Sequence, residues 1–321
     1  MAIFSVVIPF LNEESCITDV CEFYDNYAEN KPYKMELIFV DDGSTDKSVE
    51  KIENYQFKHC EFVKVVLFSR NFGSHAAIRA GVKHSIGDFC IFVCADLQEP
   101  DDLIDTSFNI LSQEHDIVFF TRGNIDVGFL TKVFSNMYSL LMRTFVVKSY
   151  YAITNFAFNR KLIDYLNENI ENNSSIGLQL TNIGFKTITI SKDYKARAAG
   201  VSKWTFSKKI KLLIDSFVAF SYLPIRAVSV VGILMFLVGF VYGVFVVINS
   251  ITNPDTPAGF PTLVSILVMG FGVTNISLGI IAEYLWRTFD VARRRPVFTV
   301  TEIKKLKTRH CSDLTDKTAT T

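Results

Sequence analysis

Short apolar runs alternate with helical stretches over the first 121 residues, and this alternation limits the fold more than any other feature. The apolar runs predict five strands, at Ser5–Phe10, Met35–Val40, Phe62–Phe68, Phe89–Cys94 and Asp116–Thr121. Four helices are predicted between them: one that ends at Glu29, one from Lys47 to Tyr55, one that ends at Lys83 and one from Asp101 to Gln113. Apolar strands that alternate with helices indicate an α/β fold whose parallel sheet is covered on both faces.

Polar side chains follow the predicted strands at their carboxyl ends, where α/β sheets bind ligands. They are Asn12 and Glu13 after the first strand, Asp41 and Asp42 after the second, Arg70 after the third and Asp96 after the fourth. Acids in this position suit a hard cation with an oxygen-rich ligand such as a diphosphate. No GxGxxG follows the first strand and no GxxxxGK[ST] occurs, which disfavours an ordinary dinucleotide site and a P-loop.

Two long stretches of the chain carry no charge, residues 227–248 and 262–282. At about 1.5 Å of rise per residue, each would span roughly 30 Å as a helix, the thickness of a membrane's hydrocarbon core. They predict two transmembrane helices; a pair of buried core helices is the alternative.

The charges of the chain balance, with Lys+Arg and Asp+Glu equal at 33 each. Proteins that bind nucleic acids normally carry a basic surplus, so the sequence argues against a nucleic-acid partner.

Basic residues flank the two apolar stretches, whereas the connecting loop, residues 249–261, contains no Lys or Arg. The positive-inside rule therefore places both termini in the cytoplasm. We expect a cytosolic domain over 1–202, an interfacial amphipathic region over 203–224, a transmembrane hairpin over 225–287 and a cytosolic tail over 288–321. The amphipathic region would lie on the membrane surface with its lysines toward the headgroups, although packing on the soluble core is an alternative.

Several motifs of the chain resemble those of one enzyme family. Residues 6–13 (VVIPFLNE) and 41–44 (DDGS) look like the opening motifs of family-two glycosyltransferases of the GT-A fold. Residues 68–77, 95–100 (ADLQEP) and 197–204 are similar to those of the polyprenyl-phosphate glycosyltransferases. That group includes dolichol-phosphate mannose synthase and bacterial undecaprenyl-phosphate glucosyltransferases. The resemblance covers roughly residues 3 to 300 and implies a GT-A catalytic domain, Rossmann-like with a mostly parallel sheet, over 1–202.

The resemblance implies two substrates, a nucleotide-sugar donor and a polyprenyl-phosphate lipid acceptor. The positions that would bind the donor are Pro9, Asn12, Glu13, Asp41, Asp42, Ser44, Arg70 and Ala95. The positions that would bind the acceptor phosphate are Arg122, Lys132, Ser135, Arg197, Ser202 and Lys203.

The resemblance also implies a Mg²⁺ or Mn²⁺ cofactor, held in the family by an Asp-x-Asp at the fourth strand and often by a Gln two residues later. The matching positions here are Cys94, Asp96 and Gln98, so one carboxylate is replaced by a thiol. A thiol is a poor ligand for Mg²⁺ and a modest one for Mn²⁺. We therefore expect Asp96 to be the main protein ligand.

Asp96, Arg122 and Asn155 are the expected catalytic residues. Many relatives carry an Asp at position 155 that is proposed as a base, and Asn155 cannot serve in that way. A polyprenyl monophosphate does not need one, because its second pKa of roughly 6, by analogy with phosphoserine, leaves it largely ionised at neutral pH. The enzyme would then mainly supply position and charge.

The resemblance implies an inverting enzyme of a bacterial inner membrane, and the flanking basic residues place its catalytic domain at the cytoplasmic face. It would move one sugar, from a UDP-sugar, to undecaprenyl phosphate and feed cell-surface glycan modification. The resemblance also implies homo-oligomers that assemble through the membrane helices. One alternative is a processive polysaccharide synthase, although no QxxRW motif occurs. The other is a decayed transferase scaffold that acts as a partner subunit. The departures from the family pattern at Cys94 and Asn155 favour this second alternative.

Overall fold

The computed structural model describes residues 1–123, 153–169, 176–195, 259–292 and 296–308, with isolated helical positions between 230 and 252. The chain divides into two compact units. The first comprises Met1–Leu140, Ser149–Thr205 and Pro296–Thr321, and the second comprises Leu141–Lys148 and Phe206–Arg295.

A mixed sheet forms the centre of the first unit. Its strands are β1 (Ile3–Phe10), β2 (Lys34–Asp41), β3 (Phe62–Phe68), β4 (Phe89–Phe92), β5 (Ile117–Arg122), β6 (Ile153–Asn159), β7 (Thr187–Lys192) and β8 (Val300–Leu306). Their order is β7-β5-β6-β4-β1-β2-β3-β8. The pairs β1–β2, β1–β4, β2–β3 and β5–β7 are parallel. Strands β6 and β8 pair antiparallel with their neighbours. The predicted α/β class is confirmed, but the sheet is mixed rather than parallel throughout, because β6 and β8 run antiparallel to the strands they pair with.

Helices cover both faces of this sheet. They are α1 (Ile17–Tyr27), α2 (Ser48–Asn54), α3 (Ser74–Lys83), α4 (Leu103–Leu111), α5 (Arg160–Glu168) and α6 (Ile176–Asn182). Helices α1, α2 and α4 bury their apolar side chains in one core, and α3, α5 and α6 do so in the other. Alternate residues of a strand point to opposite faces, so Val6 and Ile8 of β1 join the first core and Val7 joins the second.

Strand β8 lies within residues 288–321, the segment predicted as a cytosolic tail, and adds a strand to the sheet of the first unit. It pairs antiparallel with β3, so that Ile303 lies opposite Val66. Phe298, just before the strand, stacks on Phe68 with ring centroids 5.3 Å apart. The segment is ordered on the sheet because the edge of β3 offers it a row of backbone partners and an aromatic contact.

The second unit contains helix α7 (Phe260–Ala292), which includes the predicted span 262–282. Within the described ranges, no helix combines the length and the hydropathy that crossing a membrane requires. The span 227–248 is described only at isolated positions, and the amphipathic region 203–224 lies outside the described residues. Both transmembrane helices therefore stay a prediction.

Candidate active site

The loops that follow β1 and β2 are held together by hydrogen bonds between predicted donor-binding residues. The Asn12 N–H donates to Ser44 Oγ over 2.9 Å, and Asn12 Oδ1 accepts from the Thr45 N–H over 2.8 Å. Asp41 Oδ1 accepts from the Ser44 N–H over 2.9 Å. Asn12 has a φ of +51°, a left-handed conformation that Asn tolerates better than most residues. Asn12, Asp41 and Ser44 thus lie together at the carboxyl edge of the sheet.

Asp42 joins the loop after β2 to the loop after β3. Its carboxylate accepts from the N–H of Phe72 over 2.7 Å and from that of Gly73 over 3.0 Å. Burial raises the pKa of Asp42, and these two hydrogen bonds oppose the shift. Gly43 has a φ of +81°, and a Cβ there would lie 2.7 Å from the carbonyl carbon of Arg70. The backbones therefore meet at a distance that only Gly permits, beside the exposed Arg70 side chain.

The loop after β1 also contacts the loop after β4. Strand β1 is paired with β4 only up to Val7, which leaves Pro9, without an N–H, beyond that ladder. Cys16 Sγ lies 3.5 Å from Glu13 Oε2 and 3.4 Å from the Ala95 carbonyl oxygen. Burial and the nearby Glu13 raise the pKa of Cys16 to about 11, so its thiol is neutral near pH 7. The structure thus brings Pro9, Glu13 and Ala95 to the same edge.

The turn after β4 gathers three side chains that each place one polar atom within 4.8 Å of the other two, namely Cys94, Asp96 and Glu99. Leu97 has a φ of +51°, which is uncommon for a bulky residue and reverses the chain between Asp96 and Glu99. Glu99 is 7% exposed, and its Oε1 accepts from the Cys94 N–H over 2.7 Å. Glu99 Oε2 is buried and has no hydrogen-bond partner among the residues that the structure describes.

Oxygen atoms of this cluster fit a hard divalent cation, because Mg²⁺ and Mn²⁺ prefer carboxylate ligands. Glu99, which was not predicted from the sequence, adds a carboxylate to this cluster, and its Oε2 is buried without a hydrogen-bond partner among the described residues. Burial, with Glu99 and Asp96 nearby, raises the pKa of the Cys94 thiol well above its usual value. Burial likewise raises the pKa of Glu99.

Gln98 is turned toward Arg122. Its Oε1 accepts from Arg122 Nη2 over 2.7 Å, and its backbone carbonyl accepts from the Lys195 N–H over 2.8 Å. The Arg122 guanidinium also lies 4.9 Å from the ring centroid of Tyr194, a cation–π contact. Arg122 is exposed at the end of β5, so its charge is accessible to an anionic ligand. The predicted metal role of Gln98 stays a prediction.

Asn155 lies on β6 and has no exposed surface. Its Nδ2 donates to the Phe92 carbonyl oxygen over 3.0 Å and to Glu99 Oε1 over 3.1 Å. Its Oδ1 accepts from the Tyr194 hydroxyl over 2.7 Å. These contacts make Asn155 a residue that positions Glu99, and its predicted catalytic role stays a prediction.

Five predicted acceptor-binding residues, Lys132, Ser135, Arg197, Ser202 and Lys203, lie outside the described residues. Three residues of the site, Glu99, Tyr194 and Cys16, were not predicted from the sequence. Glu99 had a signal, since it directly follows Gln98 in the motif at 95–100. The chain alone gave no signal for Tyr194, whose distance from Asn155 in sequence hides their contact.

The family described as "Glycosyl transferase family 2" matches residues 5–172, more than half of the chain. The chain belongs to this family. It is therefore an enzyme, and the predicted class of hexosyltransferase is confirmed, as is the resemblance to family-two glycosyltransferases.

Curated relatives of this family 2 enzyme match along nearly all of its length. "Uncharacterized glycosyltransferase YkcC" of Bacillus subtilis (strain 168) is 29% identical over 300 residues, which cover 92% of this chain and 93% of the relative. "Undecaprenyl-phosphate 4-deoxy-4-formamido-L-arabinose transferase" of Proteus mirabilis (strain HI4320) is 29% identical over 310 residues, covering 94% of each. Among solved structures, glucosyl-3-phosphoglycerate synthase from Mycobacterium tuberculosis with Mn²⁺ and uridine diphosphate is 18% identical, covers 67% of this chain and 80% of that one, and has a TM-score of 0.44.

Proposed function

We propose that this family 2 glycosyltransferase moves one sugar from a UDP-sugar to undecaprenyl phosphate with inversion. The observation that carries the proposal is the network that joins the loops after β1, β2, β3 and β4 and ends at the exposed Arg122. A site that combines acidic oxygens with an accessible guanidinium suits a donor diphosphate and an acceptor phosphate. The name of the Proteus mirabilis relative supports undecaprenyl phosphate as the acceptor.

The reaction is a single displacement. An oxygen of the acceptor phosphate forms a bond to the anomeric carbon, and the bond from that carbon to the nucleotide diphosphate breaks. The acceptor oxygen is already ionised, so the enzyme's task is to align the two phosphates and to offset their charge. Mg²⁺ or Mn²⁺, when bound, would stabilise charge on the departing diphosphate.

The residues of the site divide between the two substrates. Asn12, Asp41 and Ser44 form the platform for the nucleotide, and Asp42 fixes its neighbouring loop. Arg122 binds the acceptor phosphate, and Gln98 and Tyr194 hold the guanidinium in place. The acceptor-binding residues outside the described ranges would complete this phosphate site, namely Lys132, Ser135, Arg197, Ser202 and Lys203.

The lipid acceptor requires access to a membrane. We propose that residues 227–248 and 262–282 span a bacterial inner membrane, with the catalytic domain at its cytoplasmic face. Residues 203–224 would then lie on the membrane surface and bring the site to the lipid phosphate. Homo-oligomers through the membrane helices belong to the same proposal.

A transfer assay on the purified full chain tests the function. UDP-glucose, UDP-galactose, UDP-GlcNAc and GDP-mannose are offered separately with undecaprenyl phosphate and Mn²⁺ or Mg²⁺, and sugar that enters the lipid fraction is measured. We expect metal-dependent transfer of one sugar per lipid from a UDP-linked donor. Asp96→Asn should reduce the rate roughly a hundredfold, because it removes the main protein ligand of the cation that would offset charge on the departing diphosphate.

The matched control is Asp164→Asn, which makes the same change at an exposed residue of α5 and should leave the rate unchanged. Long sugar chains on the product would favour a processive synthase. Retained nucleotide binding without transfer from any of the four donors would favour the decayed scaffold.

A further inference from the structure

We infer that Glu99 is the second carboxylate ligand of the divalent cation, beside Asp96, and that Asn155 is the residue that positions it. The inference rests on the proposed function, since it concerns the cation of the same site. Glu99 would supply the second carboxylate that the family pattern has at position 94, where this chain has Cys94.

The burial of Glu99 is the first support. A carboxylate that is 93% buried is costly unless its oxygens are hydrogen-bonded or bind a cation. The Cys94 N–H and Asn155 Nδ2 each donate a hydrogen bond to Oε1 of Glu99. They leave Oε2 buried and unpartnered within the described residues. A cation beside Oε2 would supply its missing partner.

The composition of the cluster is the second support. The ligand atoms of Cys94, Asp96 and Glu99 lie within 4.8 Å of one another, close enough to share one ion. Mg²⁺ and Mn²⁺ prefer oxygen to sulfur, so the two carboxylates are the better pair of ligands. The left-handed turn at Leu97 is the local feature that places Glu99 beside Asp96.

Asn155 determines which way the Glu99 carboxylate faces. The Phe92 carbonyl oxygen can only accept a hydrogen bond, so the NH₂ group of Asn155 must point toward Phe92 and Glu99. The Tyr194 hydroxyl then donates to the other side of the amide, at Oδ1. The amide therefore holds Oε1 and leaves Oε2 as the atom that faces an ion. An outer group of this kind typically changes metal affinity by about 10- to 100-fold.

Mn²⁺ binding to the detergent-purified full chain, measured with UDP present from the paramagnetic resonance signal of free Mn²⁺, tests the inference without reading activity. We expect Glu99→Gln to weaken Mn²⁺ binding at least about tenfold, because it replaces the charged oxygen with an amide. Glu53→Gln makes the same change at a residue of α2 that pairs with Lys304, and it should bind Mn²⁺ as the wild type does.

Two further variants keep the test decisive if Glu99→Gln perturbs the fold. Glu99→Asp retains the charge and should retain more Mn²⁺ affinity than Glu99→Gln. Cys94→Ser removes the sulfur and should change the affinity by less than about threefold. Wild-type affinity in Glu99→Gln, equal loss in the Asp and Gln variants, or a Cys94→Ser loss as large as that of Glu99→Gln would each overturn the inference.

The outcomes also separate this inference from the proposed function. A wild-type enzyme that transfers sugar while Glu99→Gln binds Mn²⁺ normally overturns only the role of Glu99. A chain that binds Mn²⁺ through Glu99 but transfers no sugar overturns only the proposed function.

Discussion

Asn155 shows how one neutral side chain can hold a charged one in a buried site. Its Nδ2 donates to Glu99 Oε1 and to the Phe92 carbonyl oxygen, and no part of the side chain is exposed. An aspartate of the same shape would present an oxygen to both acceptors. The Asp that many members of the resembled family carry at position 155 is therefore incompatible with the hydrogen bonds that Asn155 donates to Glu99 and to the Phe92 carbonyl.

We predict that Asn155→Asp lowers the free energy of unfolding by about 2–4 kcal/mol, since it leaves buried acceptors facing a carboxylate. Urea unfolding of the full chain, followed by circular dichroism, measures this change. Asn169→Asp is the control, because Asn169 donates to a backbone carbonyl at an exposed position and should cost less than about 0.5 kcal/mol. Equal stability of the two variants would contradict the positioning role.

Cys94 is the second residue at which the chain departs from its family pattern. We predict that Cys94→Asp lowers the Mg²⁺ concentration needed for half-maximal transfer, because it adds an oxygen ligand within 4.8 Å of the polar atoms of Asp96 and Glu99. The assay is a Mg²⁺ titration of sugar transfer. Cys90→Asp is not a suitable control, because Cys90 is buried in the core and a charge there would disturb the fold. A variant that stays inert at every Mg²⁺ concentration, like an inert wild type, would indicate a decayed scaffold.

At the scale of elements, helix α1 is anchored to the segment before β3 by one buried carboxylate. Asp25 accepts hydrogen bonds from the backbone N–H groups of Lys58, His59 and Cys60, at 2.8–3.0 Å. Asp25 is 1% exposed, so water cannot replace these contacts. The helix and the segment are thereby fixed against the same core.

We predict that Asp25→Ala costs about 3–5 kcal/mol of stability, because it strands buried N–H groups. The midpoint of urea unfolding reports the loss. Asp19→Ala on the exposed side of α1 removes only a favourable charge in the first turn and should cost less than about 1 kcal/mol. A loss in Asp25→Ala as small as that in Asp19→Ala would refute the anchoring role.

The elements also show where prediction from sequence succeeds. The strands from β1 to β5 fall within two residues of their predicted bounds, because continuous apolar runs bounded by polar loops determine buried strands locally. The predicted fourth strand stops at Phe92 instead of Cys94, since the Cys94 N–H turns away to Glu99. Strands β6, β7 and β8 were not predicted, because partners far along the chain decide whether such short segments pair.

The same division applies to the site. The sequence predicted the residues at the strand ends, since the carboxyl edge of a parallel sheet follows from the topology. It could not predict that Asn155 and Glu99 would meet, because β6 had first to be inserted between β4 and β5. Contacts that depend on this antiparallel insertion become visible only in the folded chain.

At the scale of the whole molecule, the proposed hairpin makes a prediction about topology. An alkaline phosphatase fused within residues 249–261 should be active, because the loop without Lys or Arg would lie outside the inner membrane. The same reporter fused after residue 321 should be inactive, and a fluorescent protein fused there should fluoresce. Active phosphatase at both positions, or at neither, would rule out the proposed orientation.

Strand β8 has a consequence for how this enzyme is made. The Thr301 hydroxyl donates to the Leu67 carbonyl oxygen across 234 residues of sequence, and both proposed spans lie in the interval. At ribosomal rates of about 5–20 residues per second, roughly 12–50 s pass between the synthesis of β3 and the synthesis of β8, which covers its edge. A nascent sheet in that interval has an open edge, the surface on which chains aggregate. We expect delayed translation of the apolar segments to prolong that exposure and to lower the yield of folded enzyme, because β8 would pair with β3 later.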